Sequence, residues 1–328
     1  MRQEERSRGS LSNPGQEQSK RGILRTAGRR YNLADPDAAS RPHPIDHLGD
    51  IPMPFLSLPF HRLRYEDTGG HRPALVFCHS FGMRAEMFAP QLRHFAATHR
   101  CIVWDQRAHG ESAAEHPFGF WDSARDLIAL LDHLGIDRVA VAGTSQGGFV
   151  ALRAALLAPS RIASVAVFGS SIDAESEATR EAYRALVAEV QASSFEAPPL
   201  QAIEAMAHVC FGPDFDAGAW KRSWQSWNPV QWQLAFDALA GRDAIAPLVG
   251  ALRMPVLVMH GTRDNAYPIE VGRRIAAAIA QARCVEVEGG QHFLSITDPD
   301  VVNRTLAAFL AEHAQRAPER LQSALTSS

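Results

Sequence analysis

Short apolar runs alternate along this chain with segments of amphipathic helical spacing, and this alternation constrains the fold more than any other feature. A strand of a parallel sheet is covered by helices on both faces, so it reads as a continuous apolar run. Six such runs are Ala74–Cys78, Cys101–Trp104, Val139–Ala142, Ile162–Phe168, Pro255–Met259 and Cys284–Val287. The alternation predicts an α/β protein with a mostly parallel sheet between two layers of helices.

Two shorter patterns, Phe55–Leu58 and His61–Tyr65, predict an opening hairpin and bring the expected sheet to eight strands. Helices are expected at Met87–Ala97, Trp121–Leu134, Gln146–Ala158, Ile269–Ala282 and Val301–His313. After the sixth strand, residues 173–250 break the alternation with a mostly helical pattern that holds four of the six tryptophans. We therefore predict a helical cap over the carboxyl edge of the sheet, where ligands bind in open α/β folds.

The two ends of the chain differ in composition from the part between them. Residues 1–52 are rich in Arg, Ser, Gln and Pro, contain one aromatic residue and show no periodicity, which predicts a disordered extension. A natural product that begins at Met53 is an alternative explanation for this segment. The body is expected over 53–172 and 251–316, the cap over 173–250, and a polar tail over 317–328.

Charge and cysteine content exclude several classes of protein. The formal net charge is −3, and the first 41 residues carry nine Lys or Arg against five acidic residues, so the remainder is mildly acidic. A nucleic-acid partner is not expected, because such proteins carry a basic face. No apolar stretch is long enough to predict a membrane span. The four cysteines form no C-x-x-C pair, which favours reduced thiols in a cytoplasmic protein and no metal site.

The segment Gly143–Gly147 matches the pattern G-x-S-x-G, with Ser145 at its centre. It lies between the apolar run Val139–Ala142 and a predicted helix, which is the strand–turn–helix context that a nucleophilic serine requires. The small residues Gly143 and Gly147 allow neighbouring backbones to approach closely. An ordinary glycine-rich turn is the alternative interpretation, but the context predicts that Ser145 is a nucleophile.

A serine nucleophile needs a base within hydrogen-bond reach and a third group that orients the base. Two later loops supply candidates in the chain order Ser, acid, His. Asp264 follows the seventh strand, and His292 follows the eighth on a glycine-rich exit. Asp264 as a helix-capping carboxylate, His292 as a surface-loop histidine, and Asp173 as a rival acid are the alternatives.

The segment Cys78–Gly82 ends the third strand and lies where a second oxyanion donor is expected. The backbone N–H groups of Phe81 and Gln146 are the predicted donors. His79 is interpreted as a residue that supports the loop backbone. The segment from Asp105 to Ser112 is interpreted as a structural turn rather than as catalytic machinery.

Taken together, these segments resemble the α/β-hydrolase superfamily over about residues 55–315. The resemblance rests on the loop His79–Gly82, the Ser145 turn, and Asp264 and His292, which follow one another in the order typical of the family. Within the superfamily the chain is similar to small bacterial esterases and 3-oxoadipate enol-lactonases. One departure is Ala108, which stands where the turn D-x-R-G-H-G of the family has its first glycine.

The resemblance implies an α/β-hydrolase fold and hydrolysis of a small carboxylic ester or lactone through an acyl-enzyme, without a metal or an organic cofactor. Haloalkane dehalogenases and epoxide hydrolases are disfavoured, because those relatives have an aspartate in place of Ser145. Carbon–carbon bond hydrolysis and cofactor-free perhydrolysis use the same triad and stay open. A ligand receptor on a hydrolase scaffold is the alternative from another class.

Aromatic residues in the predicted cap are spaced so that they share one helix face. Trp220, Trp224 and Trp227 follow the spacing i, i+4, i+7, which is typical of a stripe buried within the cap. The functional alternative is an aromatic wall over the acyl pocket. We therefore keep these three tryptophans and Met83 as candidate substrate-binding residues.

Overall fold

The computed structural model describes residues 22–24, 54–192 and 200–314. Its strands are β1 (Gly22–Leu24), β2 (Phe55–Leu58), β3 (His61–Asp67), β4 (Ala74–Cys78), β5 (Arg100–Trp104), β6 (Val139–Thr144), β7 (Ile162–Phe168), β8 (Val256–Gly261) and β9 (Ala282–Val287). All eight predicted strands are present, with bounds that differ from the predicted ones by at most two residues.

Ten α-helices are found in the described residues. They are α1 (Ala89–Phe95), α2 (Phe120–His133), α3 (Gln146–Leu157), α4 (Glu177–Ala192), α5 (Leu200–Phe211), α6 (Gly218–Gln225), α7 (Pro229–Ala240), α8 (Ile269–Ala278), α9 (Leu294–Thr297) and α10 (Pro299–Ala314). The predicted helix Met87–Ala97 is in fact a 3₁₀ turn at Ala85–Phe88 followed by α1. Pro90 lies in the first turn of α1, where a missing N–H costs nothing, so the α-helix begins there.

The strands form one sheet in the order β1-β9-β8-β7-β6-β4-β5-β3-β2. The pairings of β2 with β3 and of β3 with β5 are antiparallel, and the remaining pairings are parallel. The carboxyl ends of β4, β6, β7, β8 and β9 therefore meet at one edge. The predicted α/β-hydrolase fold, with a mostly parallel sheet, is confirmed.

One strand was not predicted. Gly22–Leu24 pairs in parallel with Val285–Val287 and adds a ninth strand at the edge of the sheet. These three residues lie within the segment for which a disordered extension is predicted. Three residues are too short for a periodicity to show, and the free edge of β9 supplies the partner that the local sequence cannot reveal. The rest of residues 1–53 and the predicted tail 317–328 lie outside the described residues.

Successive residues of each central strand point to opposite faces and pack into two separate apolar layers. Val76 of β4 faces the layer that contains α2, α3 and α8, whereas Phe77 faces the layer that contains α1 and α10. Both faces are thus covered, which explains why the central strands are largely apolar. The sheet is a rigid base for the loops at its carboxyl edge.

Helices α4 to α7 follow β7, inside the range predicted for the cap, and we call them the cap helices. Side chains of α6, of α7 and of the link between them form hydrogen bonds with the loops after β4 and β5. Trp224 Nε1 donates to Gly82 O at 2.6 Å, and Trp227 Nε1 donates to Ala108 O at 2.9 Å. Gln231 exchanges two hydrogen bonds with the backbone of Ala114. These contacts place the cap helices over the loops that follow β4 and β5.

Three further observations concern the cysteines, the possible metal ligands and the helices of the described residues. Cys78, Cys101 and Cys210 are buried, Cys284 is half-buried, and no disulfide bond joins any two of them. Within the described ranges, no cluster of three or more His, Cys, Asp or Glu side chains is arranged to hold a metal ion. No helix among the described residues is both long and apolar enough to span a membrane.

Gly110 provides a test of the turn after β5. It has φ +54°, and a Cβ there would lie 2.1 Å from Oδ2 of the buried Asp105. Gly135 has a similar φ of +62° with open space around it. Because only Gly110 adds a clash with a buried carboxylate, we expect Gly110→Ala to lower the free energy of unfolding by at least about 2 kcal/mol more than Gly135→Ala. Urea denaturation measures both variants, and equal losses would contradict this account of the turn.

Candidate active site

Ser145 occupies a strained turn between β6 and α3. Its φ is +50° and its ψ is −110°, a conformation that residues other than glycine rarely adopt. Two hydrogen bonds hold the backbone there: Ser145 N donates to Phe168 O at 2.8 Å, and Ser170 Oγ donates to Ser145 O at 2.9 Å. The surrounding structure therefore imposes the strain, as is common at functional sites.

The glycines of the motif allow this turn to form. A Cβ on Gly147 would lie 1.8 Å from Cys78 O, and a Cβ on Gly143 would lie 2.3 Å from the backbone of Gly147. Real Cβ atoms do not approach backbone so closely, so α3 can begin beside β4 only without these side chains. The close backbone approach predicted for Gly143 and Gly147 is present.

Asp264 and His292 are joined by a hydrogen bond, from His292 Nδ1 to Asp264 Oδ2 at 2.8 Å. The other carboxylate oxygen, Oδ1, accepts the N–H groups of Ala266 and Tyr267, each at 2.8 Å. Burial raises the pKa of Asp264, but His292, His260 and the N–H of Tyr267 together lower it by more, so the net pKa lies below its ordinary value. The carboxylate is therefore ionised beside the imidazole.

The end of β7 brings Ser145 beside this pair. Phe168 O accepts the N–H of Ser145. The next residue, Gly169, has no side chain that would hold the Ser145 turn away from the pair of Asp264 and His292. A Cβ on Gly169 would lie 2.7 Å from His292 O and 3.1 Å from Asp264 Oδ2. The hydrogen bonds of the described residues include none between Ser145 Oγ and the His292 ring. The structure thus places the three side chains around one strand end and bonds two of them directly.

The rival acid, Asp173, lies elsewhere. Its carboxylate pairs with Arg274 Nη2 at 3.3 Å, and its backbone carbonyl accepts Arg242 Nε at 2.8 Å. Since Asp264 already bonds His292 and Asp173 is engaged by arginines, the geometry favours Asp264 as the partner of the histidine.

The two predicted oxyanion donors belong to two segments, the first turn of α3 and the loop after β4. Gln146 is the first residue of α3, and N–H groups in the first turn of a helix have no partner within the helix. Phe81 lies in the loop after β4, which Met83 N closes by donating to Ser80 O at 3.1 Å. A joint role of these two N–H groups in binding an oxyanion stays a prediction.

His79 supports that loop, as predicted. Its Nδ1 donates to Ser80 O at 2.7 Å, and its Nε2 accepts the N–H of Gln106 at 2.8 Å. The imidazole is therefore neutral and links the loop after β4 to the loop after β5. Burial lowers the pKa of His79 to about 4 and that of the neighbouring His109 to about 3.

Asp105 and Arg107 also have structural roles. Asp105 Oδ1 accepts the N–H of Ala85 at 2.8 Å, and Oδ2 accepts the N–H of Glu111 at 3.0 Å. Arg107 forms two hydrogen bonds to the carboxylate of Asp126 in α2. These contacts brace the loop after β5 and leave neither side chain free for chemistry.

The four candidate substrate-binding residues fall into two groups. Met83 and Trp224 are fully buried in the apolar layer that contains α1 and α10. Trp220 and Trp227 are half-buried, and the Trp227 ring lies 5.4 Å from the Phe81 ring and 4.9 Å from the His109 ring. Of the four, Trp227 is the one in ring contact with the loop that carries the predicted oxyanion donor. Substrate binding by any of them stays a prediction.

A buried polar network beside the site was not predicted. Arg242 forms an ion pair with Glu175, and Tyr267 Oη donates to Glu175 Oε1 at 3.1 Å. The Arg242 guanidinium also lies 4.2 Å from the centre of the Phe149 ring. Sequence patterns do not reveal this pair, because Glu175 and Arg242 lie 67 residues apart in the chain.

A family model described as alpha/beta hydrolase fold matches residues 73–299. That range is more than half of the chain and contains Ser145, Asp264 and His292. The chain belongs to the alpha/beta hydrolase fold family.

Similar proteins agree with this assignment. RutD of Azorhizobium caulinodans, provisionally named a carbamate hydrolase, is 28% identical over 261 residues, which cover 76% of this chain and 95% of that protein. The 3-oxoadipate enol-lactonase 2 of Acinetobacter baylyi is 26% identical over 263 residues, which cover 76% and 92%. The crystal structure of the enol-lactonase from Burkholderia xenovorans superimposes with a TM-score of 0.72 at 25% identity and covers 79% of this chain and all of that one. The predicted resemblance to enol-lactonases is confirmed.

The buried His79 predicts a pH dependence of stability. Its pKa in the folded protein, about 4, lies below the ordinary value of 6.5, so between these values the unfolded chain binds more protons. Stability should therefore fall as pH is lowered from about 6.5 to 4. His79→Asn removes this titration, so the free energy of unfolding should fall by about 1 kcal/mol less per pH unit between pH 6 and 5 than in the wild type.

Urea denaturation at several pH values measures that slope. His71→Asn is the matched control, because His71 is exposed and the change should leave the slope as it is. An unchanged slope in His79→Asn would show that His79 is not held neutral in the folded protein.

Proposed function

We propose that this protein is a serine hydrolase that cleaves a small carboxylic ester or lactone through an acyl-enzyme. The observation that carries the proposal is the strained turn at Ser145 beside the hydrogen bond between His292 Nδ1 and Asp264 Oδ2. A strained strand-to-helix serine beside a carboxylate-oriented imidazole is the arrangement that activates a hydroxyl nucleophile.

In the proposed mechanism, Ser145 Oγ attacks the acyl carbonyl carbon while His292 Nε2 takes the hydroxyl proton. The N–H groups of Phe81 and Gln146 bind the oxyanion, and each such donor typically contributes about 3 kcal/mol of transition-state stabilisation. His292 then protonates the departing alkoxide. A water molecule, deprotonated by His292, attacks the acyl-enzyme and releases the acid and free Ser145.

Asp264 holds the imidazole in the correct tautomer and stabilises its protonated form. Because Asp264 accepts the hydrogen bond from His292 Nδ1, the other ring nitrogen of His292, Nε2, is the atom that exchanges protons with Ser145. No metal or organic cofactor is required by this mechanism. The proposed partner is a small molecule, and a cytoplasmic location remains part of the proposal.

The names of the relatives support acyl chemistry. An enol-lactonase cleaves an ester bond within a ring, and a carbamate also presents an acyl carbonyl to a nucleophile. Identities near 28% do not fix the leaving group, so ester and lactone substrates belong together in the proposal. Carbon–carbon bond hydrolysis and cofactor-free perhydrolysis would use the same three side chains.

The side chains near the predicted oxyanion loop favour an apolar or aromatic acyl group. Trp227 and Phe81 are both half-buried, and Phe81 also packs edge-on against Phe236 at 4.5 Å between ring centres. Rings that are incompletely covered beside a nucleophile form the kind of apolar wall that accepts a substrate.

Ser145→Ala tests the proposed nucleophile. Removal of the hydroxyl should lower kcat for p-nitrophenyl esters and for small lactones by at least about 10³-fold, because triad members act as a unit. Ser226→Ala is the matched control, since that serine is exposed in the link between α6 and α7 and its loss should leave kcat unchanged.

A panel of these esters and lactones, together with vinylogous diketones, also distinguishes the alternative functions. Turnover retained in Ser145→Ala would overturn the proposal. Turnover of vinylogous diketones but not of esters would favour carbon–carbon bond hydrolysis. Tight binding of a ligand with negligible turnover across the panel would favour a receptor.

Trp227 tests the proposed acyl wall. Trp227→Leu removes the ring, whereas Trp227→Phe keeps an aromatic face and loses only the bond to Ala108 O. We expect Trp227→Leu to raise KM for p-nitrophenyl phenylacetate about fivefold more than for p-nitrophenyl acetate, since an aromatic contact contributes about 1 kcal/mol. Trp227→Phe should change both values alike, and equal effects of Trp227→Leu on both esters would contradict the wall.

A further inference from the structure

We propose that His260 is a positioning residue that shares the Asp264 carboxylate with His292 and thereby sets how readily His292 takes a proton. The inference rests on the proposed function, because it concerns the same aspartate and histidine. It adds a fourth side chain to the three that the sequence motif supplies.

His260 lies within hydrogen-bond reach of the oxygen that holds His292. Its Nε2 is 3.3 Å from Asp264 Oδ2 and 2.9 Å from Tyr267 O. His292 Nδ1 is 2.8 Å from the same Oδ2, while Oδ1 accepts two backbone N–H groups. The carboxylate therefore lies between two imidazoles, and both of its oxygens have two polar neighbours.

The contacts of His260 determine its protonation. Tyr267 O is a carbonyl and only accepts, so His260 Nε2 carries a proton and donates it to Tyr267 O, while Asp264 Oδ2 lies 3.3 Å from the same nitrogen. Its Nδ1 is buried and has no hydrogen-bond partner among the described residues. Burial lowers the pKa of His260. The imidazole is therefore neutral, and its N–H lies beside the Asp264 carboxylate.

The position of the His260 ring is fixed by packing. The residue is fully buried, and Gly272 in α8 lies against it so closely that a Cβ there would be 2.7 Å from Nδ1. Tyr267 and α8 thus leave the ring one orientation. A rigid donor of this kind holds the carboxylate in place and acts on its charge at the same time.

The sign of the effect follows from the charge of Asp264. When His292 is neutral, the buried carboxylate has no cation beside it and depends on its hydrogen bonds. When His292 is protonated, the cation itself stabilises the carboxylate. The N–H of His260 therefore stabilises the state with neutral His292 more, and its removal should make His292 hold its proton to higher pH.

Other titratable groups face this cluster and stay in place in the variants. Glu270 at the start of α8 acts on His260, and Cys210 of α5 interacts with Asp264. Tyr267 connects the cluster to the buried pair of Glu175 and Arg242. Because these groups are common to every variant at position 260, differences among the variants report the donor alone.

The test compares His260→Gln with His260→Met by the pH profile of kcat/KM on a p-nitrophenyl ester. The glutamine amide nitrogen can take the place of Nε2 and keep the donor, whereas methionine of similar length has none. We expect the acid limb of the profile to move up by about 0.5 to 1 pH unit in His260→Met, because the N–H beside the carboxylate is lost. In His260→Gln the limb should stay within about 0.2 unit of the wild type.

Each outcome decides for or against the inference. A shift in His260→Met that His260→Gln restores supports it. Identical acid limbs in both variants and the wild type would overturn it, even if the thermal midpoint falls, because a merely structural ring changes stability without moving the limb. Should His260→Met not fold, His260→Asn takes its place, since the shorter amide reaches the Nδ1 position and not Oδ2. A wild type without turnover would overturn the proposed function instead.

Discussion

The strained backbone at Ser145 is the constraint on which the rest of the structure depends. A residue with a side chain adopts φ +50° only where its surroundings enforce it, and here the N–H bond to Phe168 and the start of α3 do so. This conformation also requires that α3 begin close to β4, which is possible only because Gly143 and Gly147 have no side chains. The packing of one helix against two strands therefore sets the direction of one hydroxyl group.

The strand order explains how distant segments meet at this hydroxyl. Strands β9, β8, β7, β6 and β4 are neighbours in the sheet and are parallel, so their carboxyl ends form one edge. Along that edge lie His292 after β9, Asp264 after β8, Ser145 after β6 and Phe81 after β4. The loop after β7 contributes no side chain at Gly169, and that gap lets the histidine–aspartate pair come close to the serine turn.

The central strands, Ser145, and the pairing of Asp264 with His292 were all predictable, because each rests on a local pattern or on chain order within a known topology. The strand Gly22–Leu24 was not, since its partner lies more than 250 residues away and three residues show no period. The same limit applies to the pair Glu175 and Arg242 and to the contact of His260 with Asp264. Helical spacing alone makes Trp224 and Trp227 equally good candidates for substrate binding. Only the tertiary packing shows that Trp224 is buried and Trp227 is half-buried.

The central claim is that Ser145 is an activated nucleophile, and covalent labelling tests it most directly. The wild-type protein would be treated with a fluorophosphonate, which reacts with activated serine hydroxyls, and the adduct located by peptide mass spectrometry. The account predicts one stoichiometric adduct, on Ser145. Absence of an adduct under conditions that label a known serine esterase, or an adduct on another residue, would contradict it.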